Sequence, residues 1–197
     1  MTEIVLARHA ATDWSGLRYC GRSDPPLSER GATDAARLAT SLGSTLDADW
    51  LVVSSPSRRA VATAEGIAAV AGVVRVEVDD RWREADLGVA EGRTFDELAA
   101  DHPDLAAALA AGDLAIDWPD GETHLSLALR VAAAWDALLE RGRSAVVVTH
   151  AGPLLHAHAV AMRRPISPDD LVAPAAFVRV SVGADGRVGG SVLPSRA

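Results

Sequence analysis

Lysine, asparagine and glutamine are absent from this chain, cysteine occurs once, and aromatic residues make up 4% of its 197 positions. Each shortage excludes something. Without lysine there is no P-loop lysine, no Schiff-base lysine and no pyridoxal anchor. All 19 cationic side chains are therefore arginine. A single cysteine excludes an intramolecular disulfide and a cysteine-rich zinc site. With so few rings, the 49% of apolar residues must build the interior from Ala, Val and Leu. A net charge of −8 argues against nucleic acid as a partner. No apolar run reaches the roughly 18 residues of a membrane span. The opening MTEIVLARHA has neither a basic leader nor a long apolar core, so a cytoplasmic protein is expected. At roughly 150 residues per domain, the length predicts one domain over residues 1–197.

Short β-rich runs alternate with longer Ala/Leu-rich stretches, the pattern of a parallel sheet covered by helices. Strands are expected at Glu3–Ala7, Leu51–Val53, Val74–Val78 and Ala145–Thr149, the first and last apolar throughout and hence buried on both faces. Helices are expected from a Ser28 cap to about Leu46, over Ser57–Ala71 with Gly72 closing it, over Thr94–Ala111 with Pro103 interrupting, over Thr123–Arg141, and from about Pro153 to Met162. Polar, Gly-containing loops fill Ala11–Leu27 and Asp79–Arg93. The tail reads as a hairpin, with Phe177–Val182 and Arg187–Val192 joined by Gly183-Ala184-Asp185-Gly186.

Two apolar strands end in histidine: EIVLA runs into Arg8-His9 and AVVVT into His150. Ligands in open α/β sheets sit at the carboxyl ends of strands. Either histidine alone reads more readily as the start of a surface loop; the pair does not. A third segment, SSPSRRAVATA (Ser54–Ala64), leaves a strand and enters a helix. Arginine in a first turn opposes the helix dipole, so Arg58-Arg59 has little local structural motive, whereas a guanidinium fork beside helix N–H groups suits a phosphate. RWREADLG, after the third strand, offers Glu84 and Asp86. Trp14, Trp82 and Trp118 flank these motifs, either as pocket walls or as covers of core edges.

Taken in order, LARHAATDWS, CGRSDPPLSERG, SSPSRRAVATA, WREADLGVAEG, DGET and VVVTHAGP resemble the histidine phosphatase superfamily, which includes phosphoglycerate mutases and small phosphatases. The resemblance implies a three-layer α/β/α sandwich with a mainly parallel central sheet. It implies that His9 takes the phosphoryl group and that Glu84 gives a proton to the leaving oxygen. It also implies that Arg8, Arg59 and His150 clamp the phosphate, and that Cys20 and Gly21 belong to a substrate loop. The chain departs from the family pattern at Ala10 and Ala151, each in place of glycine, at Ser15 in place of asparagine, and at Ala62 in place of glutamine. If φ is positive at the alanines the change costs about 1 kcal/mol; if negative it is nearly silent. Ser15 remains a candidate phosphate contact.

Phosphoryl transfer concentrates charge on three equatorial oxygens, so two guanidiniums and a second imidazole can supply the stabilisation without a metal. No cofactor and no metal are expected. His156 and His158, two apart on a helix, cannot share a face, and Cys20 lacks the arginine that a cysteine-phosphatase loop requires. The expected partner is a small phosphorylated metabolite or inorganic phosphate, with a homo-oligomer left open. The stretch from Glu84 to His150 leaves little room beyond two helices, which favours hydrolysis through phospho-His9 over mutase-type transfer. A phospholigand-binding module without turnover is the reading from another class.

Overall fold

The computed structural model describes residues 2–183 and 188–192. Its sheet has six strands: β1 (Thr2–Arg8), β2 (Leu51–Ser54), β3 (Val76–Val78), β4 (Ala145–Thr149), β5 (Phe177–Val182) and β6 (Val188–Val192), in the spatial order β3-β2-β4-β1-β5-β6. The first four positions pair in parallel, and β5 and β6 add two antiparallel strands beyond β1. The sheet is therefore mainly parallel, as expected. Six helices accompany it: α1 (Glu29–Gly43), α2 (Arg58–Ala71), α3 (Phe95–Asp101), α4 (Pro103–Ala110), α5 (His124–Glu140) and α6 (Ala151–Met162).

Period-two alternation divides each central strand between two cores. Val5, Ala7, Val52, Val146 and Val148 pack on one face with Leu38 and Leu42 of α1 and Ala60, Ala64 and Ile67 of α2. Ile4, Leu6, Val53 and Val147 pack on the other with Val131 and Trp135 of α5 and Leu154 and Ala157 of α6. That is the three-layer sandwich. Ile4 to Ala7 and Ala145 to Val148 have no exposed surface, which is why both runs are apolar without interruption. Small side chains let α2 lie close to the sheet, which is how a chain poor in rings fills its interior.

Helix ends follow the chain's own signals. Ser28 caps α1 by accepting from the Gly31 amide at 3.0 Å. Thr94 and Glu97 form a capping box on α3. Gly72 closes α2 at φ +73. Most ends fall within one residue of expectation, and four features differ by more. α1 stops at Gly43 rather than Leu46, because the Thr45 hydroxyl donates to the Leu42 carbonyl at 2.8 Å and ends the ladder. β3 begins at Val76, since Val74 is fully exposed and only 76–78 pair with β2. Pro103 splits the third predicted helix into α3 and α4 at His102, so three helices fill the stretch where two were read. α6 begins at Ala151, two residues before Pro153, because a proline within a first turn forfeits no helical bond. The predicted 79–93 loop contains two short 3₁₀ turns, Asp80–Trp82 and Gly88–Ala90. Of the hairpin turn, Ala184 to Gly186 and the predicted strand start at Arg187 lie outside the described residues. Among those described, no helix is long and apolar enough to cross a membrane.

Candidate active site

Because β1 and β4 are parallel neighbours with Arg8 opposite Thr149, both histidines leave the sheet at the same edge. The His9 amide donates to the Thr149 carbonyl at 2.9 Å, locking the two strand ends together. The rings of His9 and His150 stand edge to face with centroids 4.9 Å apart. β2 ends beside them, and the following turn through Ser57 starts α2 with Arg58 exposed and Arg59 only 1% exposed. Arg8, His9, Arg59 and Glu84 line one cavity of about 440 Å³, and His150 lies buried behind them.

Hydrogen bonds fix both imidazole tautomers. The Ala10 carbonyl, 2.7 Å from His9 Nδ1, can only accept, so Nδ1 carries the proton. His9 Nε2 is then the lone-pair nitrogen, and it accepts from Arg59 Nε at 3.2 Å. Arg59 Nη2 approaches His150 Nδ1 at 3.1 Å, which leaves His150 Nε2 to donate to Ser55 Oγ at 2.7 Å. Each ring thus takes one guanidinium N–H and is neutral. The rest of Arg59 is tied down by the Ser23 carbonyl at 2.7 Å, the Gly21 carbonyl at 2.8 Å and Asp24 at 3.6 Å. Arg8 donates Nη1 to the Val172 carbonyl at 2.9 Å, while its Nε is buried without a partner among the described residues.

Burial, more than the arginines, sets the charge states. His9 is pushed down to about 3, first by desolvation and second by Arg59. His150 falls well below its ordinary value for the same leading reason. Glu84 moves the other way: desolvation raises it, against the pull of the Ala85 and Gly152 amides and of Arg8. Its Oε1 accepts from those amides at 3.0 and 3.2 Å, the second lying in the first turn of α6. A histidine buried neutral carries a stability cost in acid. Its folded-state value lies below the unfolded 6.5, so stability is complete above 6.5 and falls as the pH drops toward about 3. The unfolding free energy from urea titrations is expected to decline by about 1.4 kcal/mol per pH unit for each such ring in that window, with a shallower slope in His9→Asn.

The remaining predicted residues take different places. Ser15 lines the cavity, but its Oγ accepts from the Thr12 amide at 2.9 Å and so also holds the loop's own turn. Cys20 lines it too, with its thiol on the Ser23 carbonyl at 3.4 Å and burial raising its titration. Gly21 serves through its carbonyl, at φ +50. A Cβ there would meet Glu91 Oε1 at 2.3 Å and Leu87 Cγ at 2.8 Å. Gly21→Ala is expected to cost about 1–3 kcal/mol and to lower kcat/KM by loosening Arg59, readable in a urea titration and a rate on the same preparation. Ala10 and Ala151 keep negative φ, since among the described residues only Asp120, Arg163 and Ala175 are non-glycines with positive φ. Both glycine replacements are therefore unstrained. Trp118 walls the cavity and Trp82 is core, while Trp14 is not part of the lining.

Sequence reading missed the supports. Arg130 donates to the carbonyls of Arg81, Arg83 and Glu84 at 2.8 to 3.1 Å and is paired with Glu122 at 2.7 Å. Glu91 accepts from the amides of Arg22 and Ser23, fixing the loop that holds Arg59. Glu122, the second acid of DGET, is thus a brace for the Glu84 loop. His124 also went unremarked; it lines the cavity beside His156, whereas His158 turns away to Asp170 at 3.0 Å.

Comparison with known proteins defines the class: this is an enzyme of the phosphatase type. The chain belongs to the histidine phosphatase superfamily, whose branch 1 profile matches residues 4–188. It is 35% identical over 156 residues to a probable phosphoglycerate mutase GpmB from Salmonella arizonae, covering 76% of this chain and 70% of that one. Its fold matches a mycobacterial glucosyl-3-phosphoglycerate phosphatase, solved with VO3, at a TM-score of 0.85, with 30% identity and full coverage of both chains. A putative alpha-ribazole-5'-P phosphatase from Escherichia coli shares the fold at a TM-score of 0.86 and 23% identity over 100% of this chain and 97% of that one.

Proposed function

We propose that this chain hydrolyses a small phosphomonoester through a phosphohistidine on His9, with Glu84 as proton donor and no metal required. The observation that carries this reading is the single cavity lined by His9, Arg8, Arg59 and Glu84, with the His9 lone pair on Nε2. In the first step Nε2 attacks phosphorus, the P–O bond to the alcohol breaks, and Glu84 delivers its proton to the departing oxygen. Arg59 Nε turns from Nε2 to a phosphate oxygen as the lone pair is used. The unpartnered Arg8 Nε gains an acceptor in the same event, and an unanswered buried N–H costs about 1–3 kcal/mol. In the second step water attacks phosphorus, the N–P bond breaks, and the Glu84 carboxylate takes the water's proton. Ser15 and Cys20 border the phosphate, and Gly21 acts through Arg59.

The names of the relatives favour a second reading, mutase-type transfer. Release of inorganic phosphate from p-nitrophenyl phosphate, unchanged by a chelator, is the expected result. An enzyme silent there that isomerises 3-phosphoglycerate with a bisphosphorylated primer is a mutase instead.

A further inference from the structure

Above the phosphate floor the cavity changes character. Leu114, Ile116, Trp118, Leu127, Leu155 and Leu171 form its walls. Three arginines line the cavity as a whole, and two of them belong to the floor. The third, Arg18, is committed to the Gly92 carbonyl at 2.6 Å and to Glu97 at 3.1 Å. Asp113 lines the same region, with Oδ1 accepting from the Ala115 amide at 2.8 Å. A carboxylate on the alcohol half of a substrate would lose water against leucine, find above the floor only an arginine whose charge is already paired with Glu97, and face Asp113. That is costly for a charge and favourable for an apolar group.

A pair of histidines lines the cavity as well. His156 on α6 and His124 at the start of α5 meet with their rings tilted 51° to each other and centroids 4.9 Å apart, Nε2 of the first 3.3 Å from Nδ1 of the second. The Gly152 carbonyl, 2.9 Å from His156 Nδ1, can only accept, so His156 Nδ1 carries a proton and Nε2 a lone pair. His124 Nδ1 must then donate to it. His124 Nε2 is left as an acceptor, and among the described residues no protein donor is recorded on it.

We propose that the outer cavity selects an uncharged, largely apolar alcohol and that His124 Nε2 accepts a hydrogen bond from one hydroxyl on it. This deepens the phosphatase reading and rests on it. The substrate class is a monophosphate of a hydroxylated apolar alcohol, not of a hydroxy acid. Gly152 links the two ends of the cavity, since its amide serves Glu84 and its carbonyl serves His156.

The test uses phenyl phosphate, its three hydroxymethyl isomers, 4-carboxyphenyl phosphate, and the methyl ester of the last. The ester should exceed the carboxylate in kcat/KM by about tenfold or more. One hydroxymethyl isomer should exceed phenyl phosphate by about 3- to 10-fold, the worth of one neutral hydrogen bond. His124→Phe should bring that second ratio near one while the first persists. Leu171→Arg, on the half-exposed rim, should narrow the first ratio by supplying a cation. If the histidine pair only braced α5 against α6, His124→Phe would leave the hydroxyl ratio where it was, and the assignment falls. Equal turnover of carboxylate and ester overturns the apolar reading. If none of these esters is hydrolysed, p-nitrophenyl phosphate included, it is the phosphatase reading itself that is lost.

Discussion

His9→Ala is expected to lower kcat for p-nitrophenyl phosphate by at least about a thousandfold and to abolish 32P incorporation from a labelled ester. The size follows from what no neighbour can replace. Among the described residues His150 is the only other imidazole in contact with Arg59, and it has no exposed surface and no place in the cavity lining. Its Nδ1 is against Arg59 and its Nε2 against Ser55, so no lone pair is offered to a substrate. A nucleophile cannot be borrowed from position 150. The variant should remain folded, because Arg59 keeps its bonds to Gly21, Ser23 and His150. His150→Ala, by contrast, should slow the reaction yet still take up acid-labile, alkali-stable label. A labelled His9→Ala enzyme would move the nucleophile elsewhere.

The asymmetry between those two histidines shows where reading the sequence stops. Strand termini at His9 and His150 are legible because continuous apolar runs end abruptly, and parallel neighbours then deliver both ends to one edge. The fold class is legible for the same reason: the alternation of runs dictates a covered, mainly parallel sheet. Which ring faces the cavity is not written in either run; it depends on Ala10 after the first strand and on Ser55 and Arg59 after the second, residues that only the fold brings together. Arg59 could be told from Arg58 by resemblance alone, whereas in the structure the helix start decides it, by pointing one side chain inward and leaving the other in water. The brace around Glu84 was unreadable for a different reason. Glu122 and Arg130 are ordinary charged residues on a loop and a helix, and only the return of α5 past the Glu84 loop makes them partners. His124 shows the same limit: its partner lies 32 positions away on another helix.

Glu84→Gln is where the electrostatics of the site become measurable. With an alkyl phosphate, kcat should fall by about 100- to 10,000-fold, the range of a lost general acid. With p-nitrophenyl phosphate the loss should be much smaller, because that leaving group departs without a proton. The pH profile carries the sign. Burial raises Glu84, so it stays protonated above the usual carboxylate range, and activity is lost as the pH climbs through its folded value. His9, pushed down to about 3, keeps its lone pair at any pH above that value, so it sets an acid limb only near it. The alkaline limb therefore belongs to the carboxyl, and Glu84→Gln should flatten it while leaving the acid side alone. Two features hold the group in place for this role: the Gly152 amide at the start of α6 fixes Oε1, and Arg130 fixes the backbone at the Glu84 carbonyl. Arg130→Met should consequently reduce kcat on the alkyl ester more than on p-nitrophenyl phosphate. An alkaline limb that survives unchanged in Glu84→Gln would mean that another group supplies the proton.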